Sequence, residues 1–264
     1  MPNWKLTLTY DGTEFAGWQV QPGLATIQGE LQAAIGRILG RAWGEPPLPQ
    51  GSGRTDAGVH ALGQVASVAL VAPIPAENLQ RALNRTLPAA IRVLRIEAVP
   101  AHFHARHSAV AKTYEYRIFR GGLCSPFLAP YVHHCKWPLD LNLLRQAAAQ
   151  VLGEHDFTSL AATDADLTAR LAGDPELAAP SNIRRIFSSQ WAKLPGDLLL
   201  YRVRGNGFLH HMVRNLVGTM LEIARGQFPA GSMSDILEAK ARSAAGPTAP
   251  ARGLFLHSVE YPDS

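Results

Sequence analysis

The chain has 264 residues, 47% of them hydrophobic and 17% charged, a globular composition with enough apolar material for a sizeable core. At roughly 100–200 residues per domain this length favours two domains, and no apolar run approaches the roughly 20 residues that a membrane helix needs. The formal net charge is +4 and arginine outnumbers lysine, which suits phosphate and stacked bases but is equally the make-up of an ordinary solvated surface.

The first residues, Met1-Pro2-Asn3-Trp4-Lys5, carry neither the apolar stretch nor the small-residue cleavage site of a signal peptide, so a cytoplasmic protein is expected. In that compartment Cys124 and Cys135, which lack CxxC spacing, are expected as two free thiols. Residues 5–10 alternate with period two and predict a strand. A glycine-rich loop follows over 11–25. Thr26 is placed to cap a helix over 27–41, with Ile27, Leu31, Ile35 and Ile38 on one face. After a Pro/Gly-rich stretch at 44–53 come a strand near 64–70, a helix over 76–86 opened by Pro75, and a strand over 91–99. The order is β-α-β-α-β with room for one more short strand.

The later half repeats the theme without repeating the sequence. Strands are expected at 112–120 and 132–137, a helix at 141–152, strands at 183–192 and 198–204, helices at 208–226 and 234–242, and a last strand at 254–261. Strand pairs mixed with helices indicate an α+β fold of two ferredoxin-like halves, residues 1–105 and 106–264, with helices on one face of mainly antiparallel sheets. Residues 161–181 read as an exposed insertion or mobile loop.

Three segments could carry chemistry. In Gly51-Ser52-Gly53-Arg54-Thr55-Asp56-Ala57-Gly58-Val59-His60, glycines flank a carboxylate that has an arginine two residues before it. Glycine permits tight turns and close approach of a bulky ligand, and a nearby cation favours an ionised, nucleophilic Asp56. The plainer alternative is a tight turn in which Asp56 caps backbone amides. In Lys112-Thr113-Tyr114-Glu115-Tyr116-Arg117, just after Phe103-His104-Ala105-Arg106-His107, strand alternation puts the two tyrosines on one face and Glu115 and Arg117 on the other. Such an aromatic face can stack on a base while nearby cations hold phosphates, although paired tyrosines are also ordinary sheet residues. In the third segment, Phe208-Leu209-His210-His211-Met212-Val213-Arg214, Arg214 falls just beside an apolar helix face, one turn after His210. It could pair with Asp56 if the halves face each other, or lie in solvent with its stem packed on apolar neighbours. No zinc-type spacing completes a metal site. His133-His134-Cys135 are consecutive and point apart in a strand, while His102 and His104 could share a face without further ligands.

Taken together these segments resemble the tRNA pseudouridine synthase A family. The resemblance runs in order through Tyr10-Asp11-Gly12-Thr13, Gly17-Trp18-Gln19, Thr26-Ile27-Gln28-Gly29-Glu30-Leu31, the stretch from Gly53 to Ala61, Phe103-His104-Ala105-Arg106, Lys112-Thr113-Tyr114, Phe208-Leu209 with Met212-Val213-Arg214, and Ala249-Pro250 with Gly253-Leu254. His107 departs from the phenylalanine expected there, and the stretch after Ala161 is variable. The resemblance implies two α+β halves whose sheets join, with a basic cleft between them. It also implies a homodimer that binds tRNA, action on uridines 38, 39 and 40 of the anticodon stem-loop, and no metal or organic cofactor. Asp56 matches the catalytic aspartate and Tyr114 the active-site tyrosine. The roles expected are initiation of glycosidic cleavage by Asp56, stacking by Tyr114 with possible removal of the C5 proton, pairing of Arg214 with Asp56, and a phosphate contact by Arg54. Arg106, Lys112 and His210 are further candidates for contacts to RNA.

Two rival readings stand beside this one. A nucleoside hydrolase or glycosidase commonly needs two carboxylates, and the Asp56 segment offers one. An RNA-binding module without turnover would have no use for Asp56 and Tyr114 together.

Overall fold

The computed structural model describes residues 2–40, 44–70, 74–162 and 181–262. The chain divides into two compact units, Met1–Tyr114 with Ala251–Ser264, and Glu115–Pro250.

In the first unit, β1 (Asn3–Tyr10) lies between β3 (His60–Ala69) and β4 (Ile91–Val99), antiparallel to both. The alternation seen in sequence is physical: Leu6 and Leu8 are fully buried while Lys5, Thr7 and Thr9 are only half-buried. A two-residue strand, β2 (Gln50–Gly51), pairs with the far end of β3 and supplies the extra short strand expected. Helix α1 (Ile27–Leu39) starts where Thr26, in extended conformation, accepts the amide of Gly29 on its side chain. It buries Ile27, Leu31, Ala34 and Ile35 and ends at Gly40, whose φ of 73° a helix cannot continue. Helix α2 (Ala76–Thr86) follows Pro75 and buries Leu79 and Leu83. Each such leucine contributes about 1.5–3 kcal/mol by leaving water.

In the second unit the strand order is β5-β9-β8-β7, with β5 (Ala111–Phe119), β7 (Gly153–Asp156), β8 (Ile183–Leu194) and β9 (Leu198–Gly205); a short β6 (His133–His134) runs parallel to β5. Among its described residues are helices α3 (Leu141–Ala149), α4 (Met212–Ala224) and α5 (Ser232–Ala239). Helix α4 starts four residues later than the periodicity suggests, because His211 takes a φ of 58° and breaks the helical path. The expected strand over 132–137 shrinks to β6, and α3 stops at Ala149. Most of the expected loop at 161–181 lies outside the described residues.

The fold is mixed α/β with mainly antiparallel strand pairing. The division differs from the one expected at residue 105. The chain passes between units inside β5, so Tyr114 belongs to the first unit with Asp56. The last strand, β10 (Leu254–Glu260), also returns to the first unit, where Phe255 and Leu256 pair in parallel with His60 and Ala61. A strand's hydrogen-bond partner is a non-local property, and no local pattern announces it. Both cysteines are free thiols. No helix among the described residues is long and apolar enough to cross a membrane.

Candidate active site

Asp56 sits half-buried on the irregular segment between β2 and β3. An irregular segment needs outside partners for its backbone, and two sets hold this one. The loop after β1 supplies the first set. The Trp18 amide donates to the Thr55 carbonyl at 2.9 Å, and the Gly58 amide donates to the Phe15 carbonyl at 3.3 Å. This approach requires Gly17, whose φ is 94° and where an added Cβ would lie 2.6 Å from the Thr55 oxygen. The second set is a buried side-chain network. Gln64, fully buried on β3, accepts from the Ser52 hydroxyl at 2.7 Å and from the Val65 amide at 3.1 Å. Its amide nitrogen donates to the Gly53 carbonyl at 3.0 Å and to the Tyr10 hydroxyl at 3.4 Å. Tyr10 and Thr55 share a 2.8 Å hydroxyl pair. The Arg54–Asp56 stretch is therefore tied to the sheet on its N-terminal side and to the loop after β1 on its C-terminal side.

Strand β5 brings two expected residues to the same loop. Lys112 donates to the Ser52 carbonyl at 2.5 Å, so its ammonium clamps the Asp56 loop in addition to any contact with RNA. Tyr114 is buried, and its hydroxyl is held well above the usual phenol range by burial, then by Tyr10, then by the charge of Asp56. Tyr114 is therefore a neutral phenol at neutral pH, and Asp56 is close enough for its carboxylate to oppose loss of the phenolic proton. Arg54 is exposed, two residues from Asp56. Arg106 is exposed in the same unit.

The remaining candidates lie in the second unit. Arg214, half-buried on α4, donates from Nε to the Ala249 carbonyl at 2.8 Å. His210 is exposed just before the helix, its ring 4.0 Å from that of His211. Glu115 is buried and bound by Arg202, and by Arg117 at 3.3 Å. The paired tyrosines have different settings. Tyr116 is fully buried and donates to the Pro250 carbonyl at 2.8 Å, which makes it a structural residue.

A family model described as tRNA pseudouridine synthase matches residues 7–108 and 147–262 of this chain. The chain belongs to the tRNA pseudouridine synthase family. It is 53% identical over 257 residues to tRNA pseudouridine synthase A of Solibacter usitatus, covering 97% of this chain and 98% of that one. The Moorella thermoacetica protein of the same name is 43% identical over 263 residues, covering 99% and 100%. That of Limosilactobacillus fermentum is 41% identical over 263 residues, covering 99% and 96%.

Gln64, which holds the loop that carries Asp56, is what sequence reading missed. The signal was present: an uncharged amide inside a strand whose neighbours Val65, Ala66 and Val68 are buried. A buried amide must find four hydrogen-bond partners, and a glycine-rich loop with spare backbone groups provides them. Tyr10 and Thr55 stand in separate motifs of the sequence, and only the fold makes them partners.

Proposed function

We propose that this chain isomerises uridine to pseudouridine in tRNA, at positions 38, 39 and 40 of the anticodon stem-loop. Membership of the family supports the reaction. The observation that carries the assignment of residues is the pairing, in one unit, of a clamped glycine-flanked Asp56 with a buried Tyr114 that feels its charge. In the reaction the N1–C1′ bond breaks with its electron pair leaving on N1. The freed uracil turns and C5 bonds to C1′, then C5 loses its proton and N1 gains one. Atoms and electrons balance without an outside reagent, so the mechanism invokes no cofactor.

Asp56 supplies the carboxylate that starts glycosidic cleavage. Tyr114 packs on the uracil as a neutral ring, and its raised ionisation argues against a phenolate base for the C5 proton. Arg54 holds a backbone phosphate beside the everted nucleotide, and eversion costs a few kcal/mol that stacking and phosphate contacts offset. Arg214 is the cation proposed to act with Asp56, and Arg106, Lys112 and His210 add contacts to RNA. The protein works as a cytoplasmic homodimer, each subunit having two ferredoxin-like halves with a basic cleft. Detached uracil must stay trapped, which calls for a closed pocket around the base.

The glycosidase alternative needs a second carboxylate, and Glu115 is committed to two arginines. Asp56→Asn tests the proposal. The variant binds tRNA with parental affinity, while pseudouridine formation falls on the order of a thousandfold or more. Turnover near the parental rate, or a loss of RNA mass from released uracil, would overturn it.

A further inference from the structure

Beside the Asp56 loop the first unit contains a cavity of about 300 Å³. Its size is at the lower end for sites that take small molecules. The lining includes Arg54 and Arg106 and contains no acidic residue. His104 and His107 also line it, their rings 4.4 Å apart. The His104 Nδ1 accepts the Arg106 amide at 3.1 Å, so in the neutral ring the proton sits on Nε2 and can be donated. Burial, His107 and Arg106 all lower the basicity of His104, which keeps it neutral at neutral pH. That part of the lining is cationic and donor-rich.

The rest has a different character. Val20 and Leu48 are each 41% exposed. Gly51, also in the lining, rests on the buried Trp18, and a Cβ there would come within 2.5 Å of the indole. A lining that combines arginines and imidazoles with an exposed apolar pair suits a flat ring joined to an anion. Arg54 belongs both to this lining and to the Asp56 loop, so the ligand lies close along the chain to the reacting sugar.

We infer that this cavity holds the nucleotide adjacent to the target uridine, its base against Val20 and Leu48 and its phosphate on Arg106. The inference rests on the proposed function, because it takes the RNA from that reading. It adds a second nucleotide site through which one flank of the target contributes to recognition.

Binding without turnover separates the two. In an Asp56→Asn background, an anticodon stem-loop is compared with copies made abasic at the 5′ or the 3′ neighbour of the target. Loss of the seated base weakens binding about tenfold, as for one base stacked on a protein surface. Leu48→Trp, which fills the cavity from an exposed position, lowers affinity for the intact stem-loop and abolishes the penalty for the abasic one. Arg106→Ala reduces the slope of log affinity against log salt by about 0.7, the value for one phosphate of a single strand. Thermal melting of each variant checks that it is folded. An equal abasic penalty with and without Leu48→Trp, or no penalty at either flank, overturns the inference, as does an unchanged salt slope. If the coupling holds while the unmodified protein makes no pseudouridine, the proposed function fails and the nucleotide site stands. If pseudouridine forms without coupling, only the nucleotide site fails.

Discussion

Each unit buries one amide-centred polar network against an irregular stretch of chain, and the two networks differ in charge. In the first unit Gln64 gathers Ser52, Gly53 and Tyr10 around the loop that carries Asp56, and every group bonded to its amide is neutral. In the second unit Asn215, fully buried on α4, donates to the Leu160 carbonyl at 2.8 Å. It accepts from the Thr248 hydroxyl at 2.7 Å and from the Arg242 guanidinium at 3.2 Å. Thr219 extends this network by accepting the Gly246 amide at 3.0 Å. The Asn215 network fixes residues 246–249, the stretch whose Ala249 carbonyl receives Arg214. In the first unit the irregular stretch carries Asp56 itself, whereas in the second it supplies the carbonyl that receives Arg214 from α4; in both, a buried amide holds chain that no ladder or helix stabilises. Buried amides are costly unless fully satisfied, so such a network specifies one loop conformation more sharply than apolar packing would.

The difference in charge makes the comparison testable. Asn215→Leu removes the acceptor of a guanidinium and strands the Leu160 carbonyl, so unfolding stability falls by about 3 kcal/mol, read from urea midpoints. Gln64→Met, close in volume, strands only neutral groups and costs about 2 kcal/mol. It also lowers kcat about tenfold with KM for tRNA little changed, because the loop loses its position rather than its contacts. A larger stability loss from Gln64→Met than from Asn215→Leu would reverse the ranking by charge. Unchanged kcat would detach the network from the site.

Smaller effects sharpen the picture of the first unit. Tyr114→Phe keeps the ring and holds KM within about twofold, whereas Tyr114→Ala raises KM about tenfold, since base stacking is worth roughly 1–3 kcal/mol. Equal losses in the two variants would assign the effect to the hydroxyl instead. Burial pushes Tyr10 up to about 12 and raises Tyr114 as well. The folded chain thus retains protons that the unfolded chain releases near pH 10. That contribution is intact below pH 10 and is lost as the pH climbs towards 12. Tyr10→Phe flattens the fall of stability between pH 10 and 12; an unaltered slope would mean that Tyr10 does not ionise in that window.

The regular elements were legible because their causes are local. The alternation around Leu6 and Leu8, the Thr26 cap and the Pro75 start all reappear in the fold. Element ends were less legible where one backbone angle decides them, as at His211 before α4. The glycine-flanked Asp56 and the Lys112–Tyr114 segment could be named as candidates from residue type and spacing. Their common setting could not, since Tyr114 was assigned to the other half of the chain.

Residue order alone therefore determined which segments form helices and strands, which carboxylate is the chemical candidate, and which family pattern the chain follows. Only the tertiary structure decided that β10 returns to pair with β3, that Tyr114 shares a unit with Asp56, and that Gln64 holds the intervening loop. The physical reason is range. Helical and strand periodicity arise within a few residues, whereas burial, the satisfaction of an amide and the raised ionisation of a phenol depend on groups many residues apart.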